Sequence, residues 1–279
     1  MVVIDKLQKK YKGFELNVSM NIKEGTVTGL IGKNGAGKST TIKAILGLIR
    51  PDGGSVKVMG KDPGRDMESI GVALSDSGMS MLLTINDIVS IMRATYKNFK
   101  AKKFTEMCKK FELPMDKQIK DFSSGMKAKL KVLLAISHKA KLLVLDEPTT
   151  GLDVLARNEV LGMLREYLEE DSSRSILISS HISSDLEGLC DDIYMIDKGK
   201  IVMHEDTDVL LSQYGVLKMS EKEFEELDKQ YIIASRKESL NVTCLTDEKQ
   251  YYVDNYPDIA IDNSNIDDII VLTLGGNES

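Results

Sequence analysis

The chain has no tryptophan, only 5% aromatic residues, five prolines and three cysteines among its 279 residues. Each scarcity excludes something. No uninterrupted apolar run approaches the ~18 residues that a bilayer-crossing helix requires, so the chain is not expected to span a membrane by itself. Cys108, Cys190 and Cys244 are odd in number and widely spaced, which predicts reduced, buried thiols and neither a disulfide framework nor a thiolate metal site. No dense basic stripe interleaves with aromatics, so nucleic acid is not an expected partner. Met1 to Lys6 lacks a signal-peptide pattern, and a cytosolic setting is expected.

What is present is a globular composition, 42% hydrophobic and 29% charged, at a length suited to one or two domains. The net charge of −6 is unevenly spread. From Gly215 to Ser279 there are fourteen acidic and six basic residues, so the remainder is slightly positive. The cluster Lys6, Lys9, Lys10 and Lys12 reads as a solvated edge.

The most informative run is Gly32-Lys33-Asn34-Gly35-Ala36-Gly37-Lys38-Ser39, which fits the phosphate-cradling pattern G-x-x-x-x-G-K-[ST] at every specified position. An apolar strand-like run, Val27 to Ile31, leads into it. A helical pattern with Ile42, Ile45, Leu46 and Ile49 on one face follows. Glycine supplies the backbone freedom for a close wrap, and the amides of the loop and helix start then face an anion. Lys38 adds a point charge near the outer phosphates, and the Ser39 hydroxyl is placed to hold magnesium.

Further along, Ser55 to Met59 alternates like a strand, and Thr84 with Asp87 forms a capping box ahead of Ile85, Ile88, Val89, Met92 and Tyr96. A second helical face comprises Phe104, Met107, Cys108 and Phe111. Residues 124–137 and 154–169 are expected as helices, flanking a buried strand, Leu142 to Leu145, and preceding another, Ser175 to Ser180. Near-continuous apolar runs of this kind suit a parallel sheet covered on both faces. Asp197-Lys198-Gly199 turns a hairpin. In the acidic tail, Ser220 and Glu223 form a second capping box, followed by alternating segments near 240–253 and 266–274.

Leu142 to Leu145 ends in two adjacent carboxylates, Asp146 and Glu147. Neighbours on a strand point to opposite sides, so the pair can divide labour. Asp146 can reach a magnesium ion, while Glu147 polarises a water for attack on a γ-phosphate.

In this order, the motifs resemble those of the ATP-binding-cassette (ABC) ATPases over at least residues 1–205. Tyr11 stands where that family places an aromatic ring against adenine. Phe122-Ser123-Ser124-Gly125-Met126 occupies the place of the L-S-G-G-Q signature. Pro148 to Asp153 matches the segment after the acid pair, with Asp153 ending the dimer-contacting loop. His181 matches the switch histidine that meets the γ-phosphate. The resemblance implies an α/β fold: a P-loop core with an N-terminal β-subdomain, a helical subdomain and a small α+β C-terminal extension. It implies ATP and Mg2+ as cofactors, with nucleotide contacts from Tyr11, Gly32, Asn34, Gly35, Ala36, Gly37, Lys38, Ser39 and Thr40, and catalysis by Glu147 and His181.

It also implies that two cassettes, as a homodimer or heterodimer, meet head to tail, so that Ser123, Ser124 and Gly125 of one cover the ATP of the other. Residues 1–214 are expected to form the ATPase domain, with a helical subdomain inserted at about 77–140, and residues 215–279 an acidic accessory subdomain. Two departures stand out. Ser124 and Met126 replace a glycine and a glutamine of the signature, a variant resembling that of bacterial drug and peptide exporters. Ser75, followed by Asp76, stands where the family has its magnesium-reaching glutamine, and either could take that role.

These features predict the ATPase subunit of an exporter, moving an amphipathic or hydrophobic compound or a peptide through a separate transmembrane permease at the cytoplasmic face of the membrane. The alternatives are a non-transport cassette ATPase acting on ribosomes, DNA or iron–sulfur assembly, and an importer ATPase.

Overall fold

Alternation of inward and outward side chains, broken in the first strand by a register shift between Ile4 and Leu7, makes half-buried strands of the first segments. In the computed structural model, which describes residues 1–75, 78–238 and 241–275, β1 (Val2–Tyr11) pairs antiparallel with β2 (Phe14–Ile22). Leu16, Val18, Met20 and Ile22 of β2 point inward at every second position. The next strand is buried at all five positions: β3 (Val27–Ile31) leads into the glycine loop and α1 (Lys38–Ile45). That helix is shorter than the sequence pattern suggests. Gly47, at φ 71°, turns the chain after Leu46, and Ile49 still packs on the core from outside the helix. β4 (Gly53–Val58) then returns to pair antiparallel with β1.

β5 (Ile70–Ala73) precedes a helical stretch of α2 (Ile85–Thr95), α3 (Ala101–Lys110) and α4 (Ser124–Ile136). The expected capping box at Thr84 and Asp87 opens α2. β6 (Leu142–Asp146), α5 (Val154–Glu169) and β7 (Ser175–Ser180) follow, with a short α6 (Ser183–Glu187). The hairpin at Lys198 and Gly199 joins β8 (Asp192–Asp197) to β9 (Lys200–Asp206), and α7 (Thr207–Ser212) closes this part.

Among the described residues, nine strands form one mixed sheet in the order β4-β1-β2-β9-β8-β3-β7-β6-β5. Its parallel centre is buried on both faces, and successive residues feed two cores. Leu142, Val144 and Leu177 pack with α1 and the N-terminal strands, whereas Leu143, Leu145, Ile176 and Ile178 pack with α2 to α5. Each fully buried Leu or Ile contributes roughly 1.5–3 kcal/mol relative to exposure. The register fixes the site: Ile31 lies beside Ser180, and Asp146 beside Ser179. The ends of β3, β6 and β7 are therefore neighbours, so the residues that follow each strand converge.

The tail adds β10 (Gly215–Ser220), α8 (Glu221–Glu226), β11 (Ile232–Glu238), β12 (Asn241–Thr246), α9 (Lys249–Asn255), β13 (Ala260–Asn263) and α10 (Ile266–Gly275). Its four strands make an antiparallel sheet ordered β11-β12-β10-β13. One face carries its own cluster of Leu217, Met219, Val242, Cys244 and Tyr252. Val216 and Leu245 instead join the main core together with Ile266, Ile269 and Leu272 of α10. The alternation near 240–253 and 266–274 is only partly strand. Thr246 Oγ accepts the amide of Glu248 at 3.0 Å and turns the chain into α9. Residues 266–275 are helical and not the alternating segment expected there: burial recurs at every third position, Ile266, Ile269 and Leu272.

All three cysteines are free and buried. Burial pushes the Cys108 thiol up to about 12 and Cys244 up to about 11, so both are inert as nucleophiles.

Candidate functional site

The loop from Gly32 to Gly37 wraps where β3 ends. A side chain at Gly32 would place its Cβ 2.2 Å from the carbonyl oxygen of Ile196, and Gly37 adopts φ 120°, so neither position admits another residue without rearrangement. Gly37 also starts α1 with no side-chain cap, leaving the first amides of that helix for an anion. Lys38 is 5% exposed and donates to the carbonyl oxygen of Gly32 at 2.6 Å. Its ammonium lies 3.1 Å from Glu147 Oε1.

Glu147 follows Asp146 out of β6 and takes the left-handed φ of 52°, a conformation that costs a non-glycine residue about 1–3 kcal/mol. Its amide donates both to the carbonyl oxygen and to the hydroxyl of Ser179, at 3.1 and 3.0 Å. That bend turns the carboxylate toward the glycine loop. Thr150 Oγ1 donates to Glu147 Oε2 at 2.8 Å, and His181 Nδ1 lies 2.6 Å from the same oxygen. Burial alone would raise the Glu147 carboxyl, but the contacts from Thr150 and His181 and the charge of Lys38 outweigh it and hold the group below its ordinary range.

Asp146 is 3% exposed. Ser179 Oγ donates to its Oδ1 at 2.7 Å, and Ser75 Oγ donates to its Oδ2 at 3.2 Å. Asp76 lies outside the described residues. Lys33, Asn34, Gly35, Gly37, Lys38, Ser39, Thr40, Ser75, Glu147, Thr150 and His181 line one open pocket of about 400 Å³. Ala36 is buried in the loop beneath, its carbonyl oxygen accepting from Gly199. Phe14, which sequence reasoning did not single out, completes the wall. Tyr11 is 47% exposed and stacks on Phe14 with centroids 6.5 Å apart.

The three signature residues and Asp153 stand apart from this pocket. Ser123 caps α4 by accepting the amide of Met126 at 3.2 Å, and Ser124 is exposed beside it. Asp153 caps α5 by accepting the amide of Ala156 at 2.9 Å. Gly125 lets the two helices approach, since a Cβ there would lie 3.1 Å from that of Ala156.

A family model described as ABC transporter matches residues 16–150, from β2 through the acid pair. Lantibiotic transport ATP-binding protein SrtF of Streptococcus pyogenes is 37% identical over 215 residues, covering 75% of this chain and 92% of that protein. The chain belongs to the ABC transporter family. It is an ABC ATPase, which binds and hydrolyses ATP. Linearmycin resistance ATP-binding protein LnrL of Bacillus subtilis is another ABC relative, 31% identical over 77% of this chain and 72% of its own length. The ABC fold is equally plain in three dimensions. A solved ATP-binding subunit of an ABC transporter superposes with a TM-score of 0.68 at 26% identity, covering 76% of this chain and 92% of the other.

An ABC ATPase implies magnesium, and the residues present fit it. Asp146 offers one carboxylate, with hydroxyls nearby, and among the described residues no group of three or more His, Cys, Asp or Glu could form a closed cage. Magnesium suits such a site, because it keeps waters and takes one or two carboxylates plus substrate phosphates.

Proposed function

We propose that this chain is the ATP-hydrolysing subunit of an exporter for an amphipathic or hydrophobic compound or a peptide, working through a separate transmembrane permease at the cytoplasmic face of the membrane. The support is the kinship with lantibiotic-transport and linearmycin-resistance ATP-binding proteins and the Ser-Ser-Gly-Met signature. Among the described residues no helix is long and apolar enough to cross a membrane.

The observation that carries the catalytic reading is the Glu147 carboxylate, aimed by Lys38, Thr150 and His181 into the glycine-loop pocket. Phosphates sit against the amides of Gly35 to Thr40, with Lys38 neutralising charge. Asp146, Ser39 and Ser75 would hold magnesium, which when bound screens the phosphate oxygens; Asp76 is the alternative to Ser75. Glu147 orients a water and takes its proton as the new bond to the γ-phosphorus forms and the bond to the ADP oxygen breaks. His181 holds Glu147 and reaches the γ-phosphate. Phe14 and Tyr11 offer a ring to adenine.

A second cassette, identical or related, would complete the site through Ser123, Ser124 and Gly125. Val154 and Leu155, 68% and 78% exposed immediately after Asp153, give that seam an apolar contact. Residues 1–214 would then be the motor, with 77–140 as its helical part and 215–279 as an accessory piece packed on it through α10. The test is affinity recovery from detergent-solubilised membranes. Recovery of a polytopic membrane protein, with ATPase activity in the complex, is expected; recovery of ribosomes without one would overturn the transport reading.

A further inference from the structure

The position where related cassettes carry a glutamine holds Ser75, whose side chain is shorter. Its hydroxyl nevertheless touches Asp146, at 3.2 Å. The backbone on that side is gripped from α4: the Lys131 ammonium donates to the carbonyl oxygens of Leu74 and Ser75 at 3.0 and 2.9 Å. Lys131 lies seven residues after Ser124, about two helical turns along the helix that opens with the signature. Lys131, Ser75, Ser124, Asp146 and Glu147 all line one cavity of about 320 Å³. A continuous line of contacts thus runs from the signature helix through Lys131, the end of β5 and Ser75 to Asp146.

We propose that Lys131 is a positioning residue for metal-dependent ATP hydrolysis: from the signature helix it holds Ser75 against Asp146, so that movement of one is felt at the other. The inference rests on the assignment of Asp146 to magnesium made above. The geometry favours it over a surface staple, because an ammonium bridging two successive carbonyls fixes both the position and the direction of the residue between them. A charge-assisted bond is also about twice as strong as a neutral one.

The test uses the full chain and three substitutions: Lys131→Met, which keeps the stem and loses the donors; Lys131→Arg, which keeps donors; and Asp146→Asn. Affinity for the β,γ-imido analogue of ATP is measured by calorimetry with and without MgCl2, beside steady-state ATPase rates. Lys131→Met should bind the analogue without magnesium within about twofold of the parent, yet lose on the order of tenfold of the gain that magnesium confers and a similar factor in kcat. Lys131→Arg should recover most of both. An unchanged magnesium gain in Lys131→Met, while Asp146→Asn loses it, would overturn this inference alone. An equal loss with and without magnesium, unrescued by arginine, would also overturn it, marking a fold staple. If Asp146→Asn kept the gain, the metal assignment itself would fall.

Discussion

Lys38 Nζ and Glu147 Oε1 are 3.1 Å apart, with side-chain exposures of only 6% and 14%. The phosphate-loop cation and the carboxylate that ends β6 are therefore one electrostatic unit. In a partly dry setting the attraction within such a pair is stronger than at the surface but is offset by desolvation, and removing one member leaves the other uncompensated. The same carboxylate is held on its second oxygen by Thr150 and His181, so its direction is set from three sides.

Replacement of Glu147 by glutamine keeps the shape and removes the base. ATP affinity should stay within about threefold of the parent while kcat falls by roughly a hundredfold or more, the range a positioned base supplies. With ATP retained, the paired form should persist on size exclusion. Rapid ATP hydrolysis by Glu147→Gln would defeat the role given to this residue.

The depressed Glu147 carboxyl also predicts a pH dependence. A folded pKa below the unfolded value contributes stability that is complete above the ordinary glutamate value of 4.5 and is lost as pH falls through the folded value. Glu147→Gln has no such contribution. The difference in Tm between the parent and this variant should therefore narrow as the buffer passes from pH 7 to well below 4.5. A difference independent of pH would mean that the contacts from Thr150, His181 and Lys38 do not favour the charged form.

His181 is 41% exposed at its side chain, so its removal should disturb the fold little. Its Nδ1 lies 2.6 Å from Glu147 Oε2, and its loss leaves Thr150 alone to hold that oxygen. His181→Ala should lower kcat by on the order of tenfold to a hundredfold with KM for ATP changed less than threefold, the pattern of a contact used mainly in the transition state. A matching rise in KM with kcat intact would assign His181 to substrate binding.

Gly125 separates two explanations of the signature. Within the chain, an alanine there meets Ala156 at 3.1 Å, a contact relieved by a shift of a few tenths of an ångström. Alanine also favours the helix by roughly 0.5–1 kcal/mol. Gly125→Ala should thus leave Tm within a few degrees. A large fall in ATPase activity at unchanged Tm is the expected result, because the methyl group then obstructs a second molecule. A fall in Tm that accounts for the lost activity would confine the role of Gly125 to packing α4 on α5.

The site was legible because its residues end buried strands. The runs Val27–Ile31, Leu142–Leu145 and Ser175–Ser180 announce themselves by near-continuous apolarity, and the candidate residues follow each. Their parallel register then brings the glycine loop, the acid pair and His181 together. Phe14 and Lys131 were not legible, since an edge-strand phenylalanine and a helix-surface lysine have no local signature. Residues 266–275 hid their helix because Ile269, Ile270, Val271 and Leu272 are consecutively apolar, and neither a period of two nor of 3.6 stands out. Ser179 was invisible for a related reason: inside a buried strand it looks like filler.

Ser179 is in fact the hinge of the acid pair. Its hydroxyl donates to Asp146 Oδ1 at 2.7 Å and accepts the amide of Glu147 at 3.0 Å, and its carbonyl oxygen takes that same amide at 3.1 Å. Ser179→Ala would leave a buried carboxylate oxygen of Asp146 without this donor and weaken the clamp on the left-handed backbone at Glu147. The stability cost should be about 1–3 kcal/mol, the range for orphaning a buried polar partner, read as a fall in the urea midpoint at constant m-value. ATPase activity should fall further than stability explains, because both carboxylates lose their aim at once. Ser179→Thr retains the hydroxyl and should recover activity more than stability, given the tight packing around a fully buried position. Full activity in Ser179→Ala would mean that the backbone alone positions Asp146 and Glu147.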